Sequence, residues 1–222
     1  MRSGLLIGKG IFWVLIWFGF MLFYTALDVA VWRKIGAPFG KYFNLVTMIL
    51  CIAVFLFLLT RAADFKIDLL EGLSPHGLLL AAACAGLFYL VLDKGLDPLF
   101  EAAFPASEES YQDTLRSLRA APVVSLIQVC VLAPFIEEVL MRGFLLGGLS
   151  VDYGKTAALL VSAFFFALLH FNMVQTLSAF LCGIVLGLLY LHTGSVSCCI
   201  AAHMGYNLIS YLTMMAPLNN KA

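Results

Sequence analysis

Six side chains in the second half of this sequence interrupt apolar runs, and their types suit hydrolysis. Glu137, Glu138 and Arg142 break the run from Val123 to Leu149, His170 ends the run that begins at Ser162, and His203 and Asn207 lie in the last apolar stretch. An ionised group at membrane depth costs at least about 2.5 to 3.5 kcal/mol on insertion scales, so each needs a partner or a purpose. Glu138 and Arg142 are spaced i,i+4 and stack on one helix face, where they neutralise each other as an internal ion pair. Glu137 points about 100° away from that pair, unpartnered, and is placed to take up and release a proton. Pro134, three residues earlier, removes one backbone donor and is expected to open the helix, freeing carbonyls.

His170 follows Phe166 by one turn, and His203 and Asn207 are again i,i+4 on one face. A carboxylate, two imidazoles and an amide allow Glu137 to draw a proton from water while His170 orients that water. His203 and Asn207 then donate hydrogen bonds to the oxyanion that develops on an attacked carbonyl. Zinc chemistry competes with this reading: Glu137, His170 and His203 supply three ligands and leave a position for water. HExxH is absent, so the spacing does not demand zinc.

The elements that must carry these residues are membrane helices. The chain has 222 residues, 63% of them hydrophobic and 12% charged, and a mean hydropathy of +1.00. That leaves too little polar surface to cover a soluble globule. Hydropathy places seven spans near 10–31, 42–60, 76–92, 122–149, 156–174, 176–192 and 195–215. The expected fold is all-α and polytopic: a single membrane-embedded domain over 1–222, with N-terminal helices and a connector in 1–121 and a four-helix catalytic unit in 122–215. Thirteen basic and thirteen acidic residues cancel, so no basic field attracts nucleic acid. The lipid bilayer is the evident partner.

Depth gives an independent test. At 1.5 Å of rise per residue, measured from the 150–155 connection, Glu137 lies about 18 Å deep, His170 about 21 Å, His203 about 12 Å and Asn207 about 18 Å. The four share one layer, as a convergent site requires.

Glu137-Glu138-x-x-x-Arg142, Phe166-x-x-x-His170 and His203-x-x-x-Asn207, in that order on successive helices, resemble the three motifs of the CPBP family. These are the CAAX-protease and bacteriocin-processing intramembrane proteases, also called the Abi family. The stretch from Gly183 through Gly187 and Tyr190 to Thr193-Gly194-Ser195 is also typical of it, and the resemblance covers about 122–212. It implies a glutamate-dependent endopeptidase in the membrane, often without a catalytic metal, acting on a membrane-associated peptide or protein. It further implies that Glu137 activates water with His170, that His203 and Asn207 form the oxyanion site, and that Glu138 and Arg142 support them. A multi-pass protein of a prokaryotic plasma membrane is the matching location.

Two other classes stay in view. Buried Glu, Arg and His also mark proton-coupled transporters, although no inverted repeat is evident here. A membrane immunity protein that binds a peptide without cutting it would carry the same groups. The remaining signals are structural. Gly143/Gly147 and Gly183/Gly187 form GxxxG patterns that let helix backbones approach, and six cysteines sit in apolar runs as inert small hydrophobes. Trp13, Trp17 and Trp32 read as lipid or interface anchors, Asp28 as a partly exposed residue near a span end, and Tyr206 as packing or channel lining. The stretch from Ser107 to Arg119 reads as a short surface helix with a capping serine.

Overall fold

A computed structural model of the chain describes residues 4–105, 118–170 and 172–215. Among them there is no strand. The described residues form seven long helical runs: α1 (Ile7–Ile35), α2 (Phe39–Ala62), α3 (Pro75–Ala103), α4 (Pro122–Tyr153), α5 (Lys155–Leu168), α6 (Met173–Thr193) and α7 (Val196–Met215). Five of these, α1 to α4 and α6, are long and apolar enough to cross a membrane. The protein is thus an integral, multi-pass membrane protein. α7 has the length but carries His203, Asn207 and several hydroxyl residues, which dilute its hydropathy. α5 has 14 residues and covers about 21 Å, against a hydrocarbon core of about 30 Å. The surface helix expected from Ser107 lies outside the described residues except at its end, where Arg119 donates to the Met214 carbonyl at 2.9 Å.

Helix ends follow local chemistry. Ser74 caps α3 by accepting from the Gly77 N–H, with Pro75 at the first helical position. Asn172 caps α6 by accepting from Val174 and Gln175. α6 ends at Gly194, whose φ of 71° is left-handed, the conformation glycine adopts without penalty. The region expected to be helical to residue 174 instead stops at Leu168, because Asn172 starts a new helix two residues after His170.

Three helices contain π-helical segments, in which each turn holds an extra residue. They run over Asp28–Trp32 in α1, Tyr89–Leu96 in α3, and Gln128–Leu132 and Val139–Leu146 in α4. Such wide turns are rare and cluster at functional sites. Asp28, Asp93, Gln128 and Arg142 lie within them, and Glu137 and Glu138 sit between the two in α4.

The core is formed by α4 at the centre, with α5 packed on α6 and α7 packed on α3. Gly183 and Gly187 serve the close approach that their spacing implied. A Cβ at Gly183 would meet the Ala163 backbone at 3.1 Å and the Phe166 ring at 3.2 Å, and one at Gly187 would run into Leu159. Trp13 and Trp17 are not lipid anchors. Both are buried, and their rings pack on Phe55 of α2 at 6.1 and 5.0 Å. Trp32 donates to Thr47 Oγ1 at 3.1 Å.

The close approach of α5 and α6 sets an expected outcome. Gly183→Val should destabilise the protein by about 1 to 3 kcal/mol through overpacking. Gly86→Ala, where nothing lies within 4 Å, should leave stability unchanged or slightly raised. Thermal unfolding of the two variants in mild detergent checks the contrast.

Candidate active site

Glu138 and Arg142 form the predicted ion pair, with Arg142 Nη1 donating to Glu138 Oε1 at 2.9 Å and both side chains fully buried. Arg142 also reaches across helices. Its Nη2 donates to the Gly183 carbonyl of α6 at 3.2 Å, and its guanidinium lies 4.3 Å over the Phe166 ring of α5. A buried charge is tolerable only when hydrogen-bonded in this way.

The same Glu138 Oε1 takes a hydrogen bond from His203 Nδ1 at 2.9 Å. No local spacing signals this contact, since 65 residues separate the two. It fixes the ring of α7: with Nδ1–H committed to a carboxylate, Nε2 is turned toward Glu137, whose Oε2 stands 3.9 Å away. Glu137 is therefore not solitary. Its separation from Nε2 is too long for a direct hydrogen bond and short enough for one water molecule to touch both atoms.

His170 lies not in a helix but in the turn after α5. Its Nδ1 faces the Phe166 carbonyl at 3.1 Å, so Nδ1 carries the proton and Nε2 is the acceptor. Its own carbonyl accepts from Thr176 Oγ1 at 2.6 Å, which ties the turn to α6. Phe166 stands edge-on to both imidazoles, at 5.3 Å from His170 and 5.6 Å from His203.

Asn207 has a structural task as well. In the wide turn of α4 the Ala133 N–H bonds back to the Gln128 carbonyl, so the next carbonyl, Val129, would need the N–H that Pro134 lacks. Asn207 Nδ2 supplies it, donating to Val129 O at 2.9 Å. The carbonyl that Pro134 frees is thereby joined to the last helix, and among the described residues nothing else takes up the second N–H or the oxygen of Asn207.

Glu137, His170, His203 and Asn207 all line one cavity of about 700 Å³. The described residues contain no group of three His, Cys, Asp or Glu arranged to hold a metal ion. The zinc set Glu137, His170 and His203 is thus brought to one cavity without forming such a cluster.

Sequence reasoning missed the rest of the wall, which α1 to α3 provide. Tyr206 OH donates to Asp93 of α3 at 2.7 Å while its ring packs on Phe88, and Ser210 donates to the same carboxylate. Ser178 of α6 donates to Asp97. Asp28, Asn44 and Gln128 form a further polar group on the wall. Asp28 is mostly buried, at 15% side-chain exposure, and is bound to Arg33 at 2.8 Å, so it is not merely an exposed residue at a span end.

Residues 119–209, which hold α4 to α6, most of α7 and all six motif side chains, match the family described as type II CAAX prenyl endopeptidase Rce1-like. This segment is similar to that family. The chain is also 24% identical over 181 residues, 80% of its length, to a Bacillus subtilis (strain 168) protein named "Putative membrane peptidase YdiL", of which the match covers 73%. No solved structure matches the chain. Both similarities agree with the family that the three motifs resemble.

The buried pair sets an expected outcome for this Rce1-like unit. Arg142→Met should cost about 3 to 5 kcal/mol, because it strands the Glu138 charge. Adding Glu138→Leu should recover part of that loss. Unfolding of single and double variants in detergent measures both.

Proposed function

We propose that the protein is an intramembrane endopeptidase in which Glu137 activates water for attack on a peptide bond. The observation that carries this reading is the pairing of Glu137 Oε2 with His203 Nε2 at 3.9 Å in the wall of the cavity that His170 and Asn207 share. A water molecule held between Glu137 and the accepting Nε2 of His170 loses its proton to Glu137 as it adds to the substrate carbonyl. The tetrahedral intermediate that forms carries its charge on the former carbonyl oxygen. Asn207 offers its second N–H to that oxygen, and His203 offers Nε2–H when its ring is protonated. Glu137 then returns the proton to the departing amine.

Glu138 and Arg142 act through their neighbours. They hold His203 in the ring orientation that presents Nε2, and they touch no reacting atom. The substrate is a membrane-associated peptide or protein whose scissile bond reaches the cavity. The reading is metal-free, and each imidazole, with Nδ1 committed to a protein acceptor, has Nε2 left for the cavity.

The decisive experiment uses the purified protein and a library of membrane-tethered peptides. Cleavage should resist chelators, and Glu137→Gln should lower it at least about 100-fold while peptide binding persists. Chelator-sensitive cleavage restored by zinc would overturn the metal-free mechanism and restore the Glu137, His170, His203 ligand set. Binding without cleavage by either protein would replace the endopeptidase with a peptide-binding protein.

A further inference from the structure

The cavity has a second polar wall, 13 Å or so along α4 from Glu137, whose hydrogen bonds all run in one direction. Arg33 Nε donates to Asp28 Oδ2 at 2.8 Å, and Asn44 Nδ2 donates to Asp28 Oδ1 at 2.7 Å. A carboxylate only accepts, so Asn44 must present its amide nitrogen to Asp28 and its oxygen away from it. That oxygen takes hydrogen bonds from Tyr24 OH at 2.6 Å and from Gln128 Nε2 at 2.6 Å. Gln128 Nε2 also donates to Tyr24 OH at 3.2 Å. The Gln128 amide nitrogen is thus turned to the wall, and among the described residues nothing donates to its Oε1. Gln128 lines the cavity, and Oε1 is the atom it has left to offer there.

Helix geometry makes this placement specific. Nine residues of ideal α-helix are about two and a half turns, which would put Gln128 and Glu137 on opposite faces of α4. The π-helical segment Gln128–Leu132 takes up an extra residue and brings both onto one cavity. Their separation along the axis is about 13 Å, the length of about four residues of extended chain.

We infer that Gln128 Oε1 is a substrate subsite that accepts a backbone N–H of the bound polypeptide about three to five residues from the bond cleaved. Asp28, through Asn44, is the positioning residue that keeps the Gln128 amide from reversing. The inference rests on the endopeptidase reading above and adds to it a fixed point on the extended substrate.

A series of single-ester analogues of one cleaved peptide tests this, since each ester removes one N–H. With the wild-type protein, one ester three to five residues from the cut should lower kcat/KM about three- to tenfold. Gln128→Met should lower kcat/KM for the all-amide peptide by about the same factor, and the sensitive ester should then cost nothing more. Asp28→Asn, which leaves Gln128 in place but lets Asn44 turn, should weaken the same position selectively. A flat ester profile in that window with the wild-type protein would overturn the subsite while leaving the endopeptidase standing, and so would ester and Gln128→Met effects that multiply instead of coinciding. If the wild-type protein cuts no peptide, the endopeptidase and the subsite fall together.

Discussion

One buried carboxylate oxygen holds the four C-terminal helices in register. Glu138 Oε1 accepts from Arg142 on its own helix and from His203 on α7, and Arg142 extends the grip to the α6 backbone and the α5 aromatic ring. In a hydrocarbon medium such a charge has no water to fall back on, so its few partners become obligatory contacts. Side chains that touch it are therefore fixed more tightly than packing of Leu against Leu would fix them. The orientation of His203, and hence the pairing of its free nitrogen with Glu137, follows from that fixation.

The first three helices contribute walls rather than motifs. Asp93 receives Tyr206 and Ser210 from α7, and Asp97 receives Ser178 from α6. Each bond ties the N-terminal half to the helices that bear the candidate site. The acids that hydropathy treats as span ends are thus the fasteners between the two halves, placed where hydroxyl groups of the other half can reach them.

How much of this was legible in the sequence depends on the range of the interaction. Seven helices, the Glu138–Arg142 pair and the glycine contacts of α6 were readable because they follow from hydropathy or from i,i+4 spacing. The shared layer of Glu137, His170, His203 and Asn207 was readable from helical rise. The Glu138–His203 bond was not, since it joins residues 65 apart. The wide turns were not readable either: nothing in Gln-Val-Cys-Val-Leu distinguishes a π-helical segment from an ordinary one, yet that segment decides which face Gln128 occupies. Pro134 did signal a freed carbonyl. Its satisfaction by Asn207 required knowing how α7 lies against α4.

The shortness of α5 carries a consequence for the surrounding lipid. Its 14 residues cover about 21 Å, and the polar backbone beyond Leu168 needs partners that acyl chains cannot supply. Thr176 Oγ1 meets part of that need from within the protein, donating to the His170 and Asn172 carbonyls. A bilayer thicker than that apolar wall would have to thin beside it, at a cost that grows with each ångström of mismatch. Membrane thickness thereby becomes a mechanical load applied next to His170, and two membranes of different lipid composition would hold the same site under different tension.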